Sequence, residues 1–308
     1  MQEQDNEVFG VVNDIQRMCT NDGPGIRTVV FLKGCVLNCK WCHNPEGKRC
    51  FPEVIPFVSN CEGCGECLKV CSTGALQIRD KRPYIDKALC SNCFQCVKVC
   101  KYDGLVVWGK IMSVNEVMRE VMSDKLFYLN SGGGVTVSGG EPMTQPSFVL
   151  ALLKRAKEEE IGTALDTCGH AAWEDFEKVL PYTDLVLYDI KLMDSKKHRE
   201  YAGVGNELIL ENAKRIASSG VKMRIRIPVI PGTNDSRENW EETVKFIEGL
   251  GDAVEGLDLL PYHPYAGAKY RAFGEDYPYP IGEGLEDEVL VPIVEFFLDY
   301  VPEVTVGG

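Results

Sequence analysis

The placement of the cysteines constrains this chain more than any other feature of its sequence. Eleven of the fourteen cysteines fall into three runs with the spacing of metal ligands, one run of three and two runs of four. Thiolates are soft ligands that select iron–sulfur clusters, zinc or cuprous ions. The N-terminal residues lack signal-peptide character, so we expect a reducing compartment, the cytoplasm, and metal binding rather than disulfide bonds.

The first run is Cys35-x3-Cys39-x2-Cys42, and it directly follows an apolar segment, 28–33, that predicts a β-strand. A four-iron cluster ordinarily takes four cysteines. Three thiolates would therefore leave one iron open to a non-protein ligand. The alternative is a structural zinc site in which His43 supplies the fourth ligand.

The two longer runs share the spacing C-x2-C-x2-C-x3-C and form an internal repeat. This is the spacing of bacterial two-cluster ferredoxins, in which the fourth cysteine of each run ligates the other cluster. The expected ligand sets are Cys61, Cys64, Cys67 and Cys100 for one cluster, and Cys90, Cys93, Cys96 and Cys71 for the other. We expect a ferredoxin-like insert over residues 51–104, held together by its clusters, with a zinc ribbon as the alternative.

Outside the insert, in residues 1–50 and 105–308, strand-like and helix-like segments alternate. The predicted strands are 28–33, 135–138, 163–167, 185–190, 222–230 and 255–260. The predicted helices are 113–129, 146–160, 173–180, 208–219, 236–250 and 287–300, with an edge strand at 8–16. Such alternation predicts right-handed βαβ units and a parallel sheet. The expected fold class is α/β, a partial (β/α)6 TIM-like barrel with the inserted domain.

Charge and hydropathy exclude two classes of partner. Lysine and arginine number 33 against 46 aspartate and glutamate, for a formal net charge of −13. Binding to nucleic acid requires a basic footprint that this balance does not provide. We also expect no membrane span, because no apolar run approaches the roughly 20 residues that one requires.

Polar or glycine-rich residues follow each predicted parallel strand, at the end where ligand sites gather in α/β proteins. These residues are Gly139-Gly140-Glu141, Asp166-Thr167, Asp189-Ile190-Lys191, Arg226 and His263. Glycines let a ligand approach the backbone, and a glutamate can accept an ammonium group. Strand alternation places Asp189 and Lys191 on one face. Taken singly, each of these charges could equally be a solvated loop residue.

Several residues outside these motifs are expected to be structural. The three remaining cysteines, Cys19, Cys50 and Cys168, are expected to be small buried side chains. His170 and His198 are expected at the surface.

The three-cysteine loop, with Trp41 before its last cysteine, resembles the cluster loop of the radical SAM superfamily. Four further motifs extend the resemblance over the whole chain, to the glycyl radical enzyme activating enzymes. These are Asp22-Gly23-Pro24-Gly25-Ile26-Arg27, Gly139-Gly140-Glu141-Pro142, Asp166-Thr167 with Asp189-Ile190-Lys191, and Leu260-Pro261-Tyr262-His263. Pyruvate formate-lyase activating enzyme, the best-known member, lacks the insert, which is present in relatives.

The resemblance implies three 4Fe-4S clusters, one of which is held by Cys35, Cys39 and Cys42 and binds S-adenosylmethionine. Reductive cleavage then yields a 5′-deoxyadenosyl radical that takes a hydrogen from a backbone glycine of a partner glycyl radical enzyme. The implied binding residues for S-adenosylmethionine are Trp41, Cys42, His43, Gly139, Gly140, Glu141, Asp166, Asp189, Ile190, Lys191, Arg226 and His263. With the three cysteines, Lys191 and Asp22 are expected to serve catalysis, Asp22 where the partner's glycine loop binds. A monovalent cation is implied at Asp166, Thr167 and Asp189, with the backbone of Leu187.

The expected partners are a glycyl radical enzyme and, as electron donor, flavodoxin or ferredoxin, with the insert clusters relaying the electron. Segments 130–134 and 269–279 resemble the activators of benzylsuccinate synthase and arylacetate decarboxylases. Two other functions fit parts of the sequence. One is a radical SAM enzyme that acts on a small molecule or peptide, and the other is a pure electron-transfer module.

Overall fold

The computed structural model describes residues 7–79, 82–273, 275–279 and 284–307. The strands within these ranges are β1 (Phe9–Cys19), β2 (Arg27–Leu32), β3 (Glu53–Pro56), β4 (Leu76–Arg79), β5 (Arg82–Ile85), β6 (Leu105–Trp108), β7 (Lys110–Ser113), β8 (Gly134–Gly139), β9 (Gly162–Thr167), β10 (Leu185–Asp189), β11 (Lys222–Val229), β12 (Val254–Pro261) and β13 (Val304–Val306). The helices are α1 (Glu66–Lys69), α2 (Gln95–Lys98), α3 (Val114–Met122), α4 (Lys125–Ser131), α5 (Pro146–Glu158), α6 (Trp173–Val179), α7 (Ser195–Ala202), α8 (Glu207–Ser218), α9 (Arg237–Glu248), α10 (Gly267–Ala272) and α11 (Asp287–Leu298).

One large sheet dominates the fold. Its strand order is β13-β12-β11-β10-β9-β8-β2-β1-β7. The seven strands from β2 to β13 are parallel, whereas β1 runs antiparallel to both β2 and β7. The six predicted parallel strands are therefore confirmed, and the segment after the last predicted helix adds β13 as a seventh.

Strand alternation separates the apolar core from a polar interior face. In β8, Val135 and Val137 are fully buried in the main core cluster beneath the helices. Thr136, between them, instead accepts a hydrogen bond from Arg27 and donates one to the carbonyl of Asp22. Because side chains alternate along a strand, β8 presents apolar residues to the helices and polar residues to the opposite face. The opposite face of β9 and β10 is partly apolar, since Ala164, Leu185 and Leu187 form a separate buried cluster there.

The predicted helix over 113–129 is divided into α3 and α4. Its start is confirmed as a capping box, in which Ser113 and Glu116 exchange hydrogen bonds. The break lies at Asp124, whose buried carboxylate accepts hydrogen bonds from Arg17 and Thr28. Aspartate is favoured in helix caps and turns, and these two long-range bonds, which periodicity does not reveal, stabilise the break.

The cysteine-rich segment forms two small sheets of its own. β3 pairs with β6 in antiparallel fashion, and β4 forms a hairpin with β5. The paired elements of this unit run to Trp108, beyond the boundary at residue 104 that the sequence predicts. Their buried apolar cluster is small, formed by Val54, Leu76, Ile85 and Leu105.

No helix within the described ranges has the length and apolar character needed to cross a lipid bilayer.

Candidate active site

A cavity of about 510 Å³ lies against the polar face of the parallel sheet, next to the three-cysteine loop. Residues of β8, β9, β10, β11 and β12, or of the loops after them, line it together with that loop. The predicted site residues that reach it are Asp22, Cys35, Cys39, Trp41, Cys42, His43, Gly139, Gly140, Asp166, Asp189, Lys191, Arg226 and His263. The fold therefore brings together residues that are far apart in the sequence.

The three-cysteine loop is held from behind by α7 and by its own return segment. The backbone N–H groups of Asn38 and Lys40 donate to carbonyls at the end of α7, and that of Cys35 donates to the carbonyl of Lys48. Burial raises the pKa of the Cys35 thiol to about 12, with the nearby Glu141 adding to the shift. Burial likewise raises the pKa of Cys39 to about 11. Free thiolates are disfavoured here, so they need the positive charge of a bound metal.

The donor set suits an iron–sulfur cluster. Cys35, Cys39 and Cys42 are free thiols on one cavity wall, and the backbone N–H of Asn44 donates to the sulfur of Cys42 at 3.4 Å. Within the described ranges, no three histidine, cysteine, aspartate or glutamate side chains are gathered as ligands of a single metal ion.

Gly139 and Gly140 make room for the protein's own backbone. Gly139 has a φ of +131°, and a Cβ there would lie 2.2 Å from the carbonyl oxygen of Leu32. A Cβ on Gly140 would lie 2.3 Å from the carbonyl oxygen of Gly34. These contacts place the end of β8 directly behind the cysteine loop, while the glycine backbone still lines the cavity.

Glu141 does not line the cavity, contrary to the role of ammonium acceptor expected from the sequence. Its carboxylate is buried and accepts hydrogen bonds from the N–H of Met143 at 3.0 Å, the hydroxyl of Thr167 at 2.7 Å and the N–H of Cys168 at 2.7 Å. Three hydrogen bonds compensate for the desolvation of a carboxylate. Glu141 thus joins the ends of β8 and β9. Ile190 lies in the apolar core rather than on the cavity wall.

Lys191 forms a salt bridge with Asp189 inside the cavity, with 2.7 Å between the ammonium and the carboxylate. Burial disfavours the charge on Lys191, but the neighbouring carboxylate of Asp189 outweighs it, so the pKa of Lys191 is raised. The cavity therefore contains a permanent ammonium group beside the cysteine loop.

Arg226 holds two further carboxylates that line the cavity. Its guanidinium lies 3.3 Å from Asp166 and 3.8 Å from Asp22. Asp166 also accepts a hydrogen bond from Ser138 at 2.6 Å. Burial raises the pKa of Asp166 to about 6, against the opposing effect of Arg226. The Nε of Arg226 is buried without a partner among the described residues, so this side chain retains a donor for a bound molecule.

Two stacked imidazoles form another wall of the cavity. The rings of His43 and His263 lie 3.7 Å apart, centroid to centroid. Burial, together with His263, lowers the pKa of His43 to about 4. Neither His43 Nε2 nor His263 Nδ1 has a partner among the described residues. A neutral aromatic wall with free ring nitrogens is suited to a planar heteroaromatic group.

Comparison with known proteins decides the family. Residues 29–247 match the profile of the radical SAM superfamily. The chain belongs to the radical SAM superfamily, among the activating enzymes of glycyl radical enzymes. It is 42% identical to the isethionate sulfite-lyase activating enzyme of Nitratidesulfovibrio vulgaris over 89% of this chain and 91% of that one. It is 39% identical to the benzylsuccinate synthase activating enzyme of Thauera aromatica over 97% of this chain and 92% of that one.

Comparison with these relatives does not indicate which glycyl radical enzyme this protein activates. A third, the trans-4-hydroxy-L-proline dehydratase activating enzyme of Clostridioides difficile, is 40% identical over 90% of this chain and 94% of that one. Relatives named for chemically different partners thus lie at nearly equal identity. Similarity gives no preference to the benzylsuccinate synthase type that segments 130–134 and 269–279 suggest.

The eight remaining motif cysteines of this radical SAM protein lie in two small cavities. One is lined by Cys61, Cys64, Cys67 and Cys100, and the other by Cys71, Cys90, Cys93 and Cys96. Each set contains three cysteines of one run and the fourth cysteine of the other run.

The two cysteine runs also have the same backbone conformation. Left-handed residues occur at the same three offsets in each, Gly63, Gly65 and Gly74 in the first run and Asn92, Phe94 and Asp103 in the second. The repeat in the sequence is therefore a repeat of conformation, although glycine is used in only one copy.

Three side chains outside the motifs, Cys19, Cys50 and His198, differ from expectation, and Cys19 is partly rather than fully buried. His198 is buried rather than at the surface, because its Nδ1 pairs with the carbonyl of Val204 at 2.6 Å. Cys50 is exposed rather than buried. Cys168 is buried as predicted, but it also lines the active-site cavity. An isolated cysteine has no spacing partner, so the sequence contained no signal for this position.

A second cavity, of about 610 Å³, lies between the cysteine-rich unit and α10. Its lining is mostly apolar, from residues such as Phe57, Trp108 and Phe273. Although it is larger, none of its lining residues is a cysteine. We therefore assign the chemistry of this activating enzyme to the smaller cavity.

Proposed function

We propose that this activating enzyme works with three 4Fe-4S clusters and S-adenosylmethionine in the cytoplasm, and that it installs a radical on a backbone glycine of its partner. The observation that carries the proposal is the convergence of three cysteines, a salt-bridged lysine and an arginine with a free donor in one cavity. When bound to Cys35, Cys39 and Cys42 and reduced, the cluster supplies the electron that cleaves the sulfonium of S-adenosylmethionine.

The residues of this chain bind and orient the cosubstrate. Lys191 is placed to pair with a carboxylate, since its ammonium group is charged and lies next to the cysteine loop. The wall of His43 and His263 is suited to an adenine ring. Glu141 acts as a positioning residue because it fixes the backbone at Cys168 behind the site.

A monovalent cation is proposed near Asp166 and Asp189. Both carboxylates line the cavity, and hard cations prefer oxygen ligands. The hydroxyl of the buried Thr167 donates to Glu141 at 2.7 Å and accepts a hydrogen bond from the N–H of Gly169 at 3.0 Å, so one lone pair remains for a cation.

Asp22 and Arg226 are proposed to receive the partner's glycine segment. Asp22 is a partly exposed carboxylate of this cavity, and Arg226 offers an unpartnered donor to a peptide carbonyl. Both groups line the cavity that the cysteine loop also lines.

The cysteine-rich unit is proposed to be a ferredoxin-like insert that relays electrons from flavodoxin or ferredoxin. Two closed sets of four cysteines support this assignment, since a cluster with four protein ligands keeps no iron free for chemistry. The parallel sheet and the cavity that spans its strand ends support a partial barrel around the site.

The test is an anaerobic activation experiment. The protein is reconstituted with iron and sulfide, then mixed with dithionite, S-adenosylmethionine and a candidate glycyl radical enzyme from a neighbouring operon. We expect about twelve irons per chain, 5′-deoxyadenosine, and a glycine-centred doublet in the electron paramagnetic resonance spectrum.

The matched variants are Cys39→Ala, which removes a motif cysteine, and Cys50→Ala, which removes an exposed cysteine outside the motifs. The first should abolish both products and the second should change neither. Deoxyadenosine without the doublet would point to a small-molecule or peptide substrate. Neither product, at full iron content, would favour an electron-transfer module.

A further inference from the structure

Helix α4 exposes three large apolar side chains. Leu126, Phe127 and Leu129 are 75%, 46% and 64% exposed, within four consecutive residues. We call these three residues the α4 patch. Single exposed apolar residues are normal on protein surfaces, but contiguous ones mark interaction sites. Nothing in the described part of the chain covers them.

Buried hydrogen bonds hold the helix that carries the α4 patch in place. Between its members, Tyr128 is buried, and its hydroxyl bonds with Thr28 at 2.6 Å and with the carbonyl of Val121 at 2.9 Å. The buried carboxylate of Asp124, at the start of α4, is held by Arg17 and Thr28. The patch is therefore preformed, which reduces the entropy that docking would otherwise lose.

The end of α4 is joined to the loop that carries Asp22. The hydroxyl of Ser131 accepts a hydrogen bond from the N–H of Ile26 at 2.9 Å. A Cβ on Gly133 would lie 1.8 Å from the carbonyl oxygen of Ile26, and a Cβ on Gly25 would lie 2.5 Å from the N of Gly133. The two segments are thus packed backbone against backbone, with no room for a side chain between them.

The same loop reaches the active-site cavity. The carbonyl of Asp22 accepts a hydrogen bond from Thr136 at 2.7 Å, and its carboxylate lies 3.8 Å from Arg226. A continuous path of fixed backbone therefore connects the α4 patch to Asp22 at the active-site cavity.

We propose that the α4 patch is the docking surface for the folded partner enzyme, next to the loop through which the partner's glycine meets Asp22. The inference rests on the proposed function, because a glycine within a folded protein is the substrate that requires a surface outside the cavity. Burial of these exposed apolar side chains against a second apolar surface removes both surfaces from water, which favours association. The occupant is therefore an apolar surface of the glycyl radical enzyme beside its radical glycine.

The test compares two double variants of the full-length, cluster-loaded enzyme. Leu126→Gln with Leu129→Gln removes the apolar surface of the patch and keeps residues that favour helix. The matched control, Val289→Gln with Val291→Gln, removes two similarly exposed apolar side chains from α11, 55% and 50% exposed. Each variant is assayed with two substrates, the full-length glycyl radical enzyme that the wild type activates and a short peptide copied from around its radical glycine.

With the full-length partner, we expect the patch variant to raise KM about tenfold or more, as for loss of central apolar contacts, with kcat unchanged. With the short peptide, we expect it to match the wild type, because a peptide needs only the cavity. The α11 control should match the wild type with both substrates.

Three results would overturn the proposal. One is an unchanged KM for the full-length partner. Another is an equal increase in KM for the short peptide, which would mean that the patch residues stabilise the cavity and do not contact the partner. The third is a wild-type homodimer that the patch variant dissociates in sedimentation, which would make a second copy of this chain the occupant. If the wild type formed no radical on either substrate, the proposed function would fail, and this inference with it.

Discussion

The two cysteine-bearing regions of this protein place the same kind of side chain in different surroundings. In the loop after β2, three cysteines line a cavity of about 510 Å³ that they share with Lys191 and Arg226. In the cysteine-rich unit, eight cysteines line two small cavities, four in each. The first region therefore presents three thiols beside open space, and the second presents two sets of four thiols with little space between them.

The difference lies in the support that each region receives. The three-cysteine loop is held by backbone hydrogen bonds to α7 and to the strand ends of a large apolar core. The cysteine-rich unit has only a small buried apolar cluster of its own. A site that must keep an open position needs a rigid scaffold around it, whereas a closed cluster can itself act as the scaffold.

Loss of one cysteine from each region separates their roles most strongly. Cys42→Ala and Cys93→Ala should each reduce the iron content from about twelve to about eight per chain. With dithionite as reductant, Cys42→Ala should reduce 5′-deoxyadenosine formation on the order of a thousandfold or more. Cys93→Ala should retain it within about twofold, because the two sites are independent. Equal losses in both variants would show that the insert takes part in cleavage itself.

Iron removal should unfold one region and spare the other. Without its clusters, the cysteine-rich unit has too little buried apolar surface to remain folded. Amide hydrogen exchange measured on the iron-free protein should therefore show loss of protection in α1, α2 and β4. The amides of β8 to β10, measured in the same sample, provide the control and should stay protected. Persistent protection in the unit would mean that its packing, and not its metal, holds it together.

Lys191 should affect binding of the cosubstrate without affecting the clusters. Lys191→Gln removes the ammonium group that is salt-bridged to Asp189, and loss of such a buried charge should weaken S-adenosylmethionine binding by about 30- to 100-fold. Lys178→Gln, at an exposed lysine near Asp175, is the matched control. Equilibrium binding and iron analysis of both variants are the measurements. An unchanged affinity in Lys191→Gln would remove this lysine from the binding site.

The smallest effect concerns the two repeats within the cysteine-rich unit. Gly74 has a φ of +67°, and the equivalent residue of the second repeat, Asp103, has a φ of +52°. Gly74→Ala should lower the free energy of local unfolding by about 1 kcal/mol, because a side chain is strained in this region. Asp103→Ala should change it by less, since this position already accepts a side chain. Hydrogen exchange in the iron-loaded protein measures both. A larger loss at Asp103 would mean that its carboxylate has a structural role.

Periodicity and spacing predicted most of the architecture. All six predicted parallel strands form, and the strand-end motifs from Gly139 to His263 come together because parallel strands align their carboxyl ends. The prediction was wrong for the single helix over 113–129 and for the exposure of His198. The helix is broken because Asp124 accepts hydrogen bonds from residues distant in sequence. His198 is buried with its ring nitrogen paired to the carbonyl of Val204, in the turn after α7.

The sequence by itself determined which residues are available to bind metal and cosubstrate, because ligand spacing and strand alternation are local properties of the chain. Tertiary structure alone decided which way the side chains at the strand ends face. Glu141 points into the protein because Met143, Thr167 and Cys168 supply its hydrogen bonds, and Cys168 reaches the cavity because β9 ends there. The exposure of the α4 patch was likewise decided by Asp124 and Tyr128, whose buried partners fix the helix with its apolar side chains toward solvent.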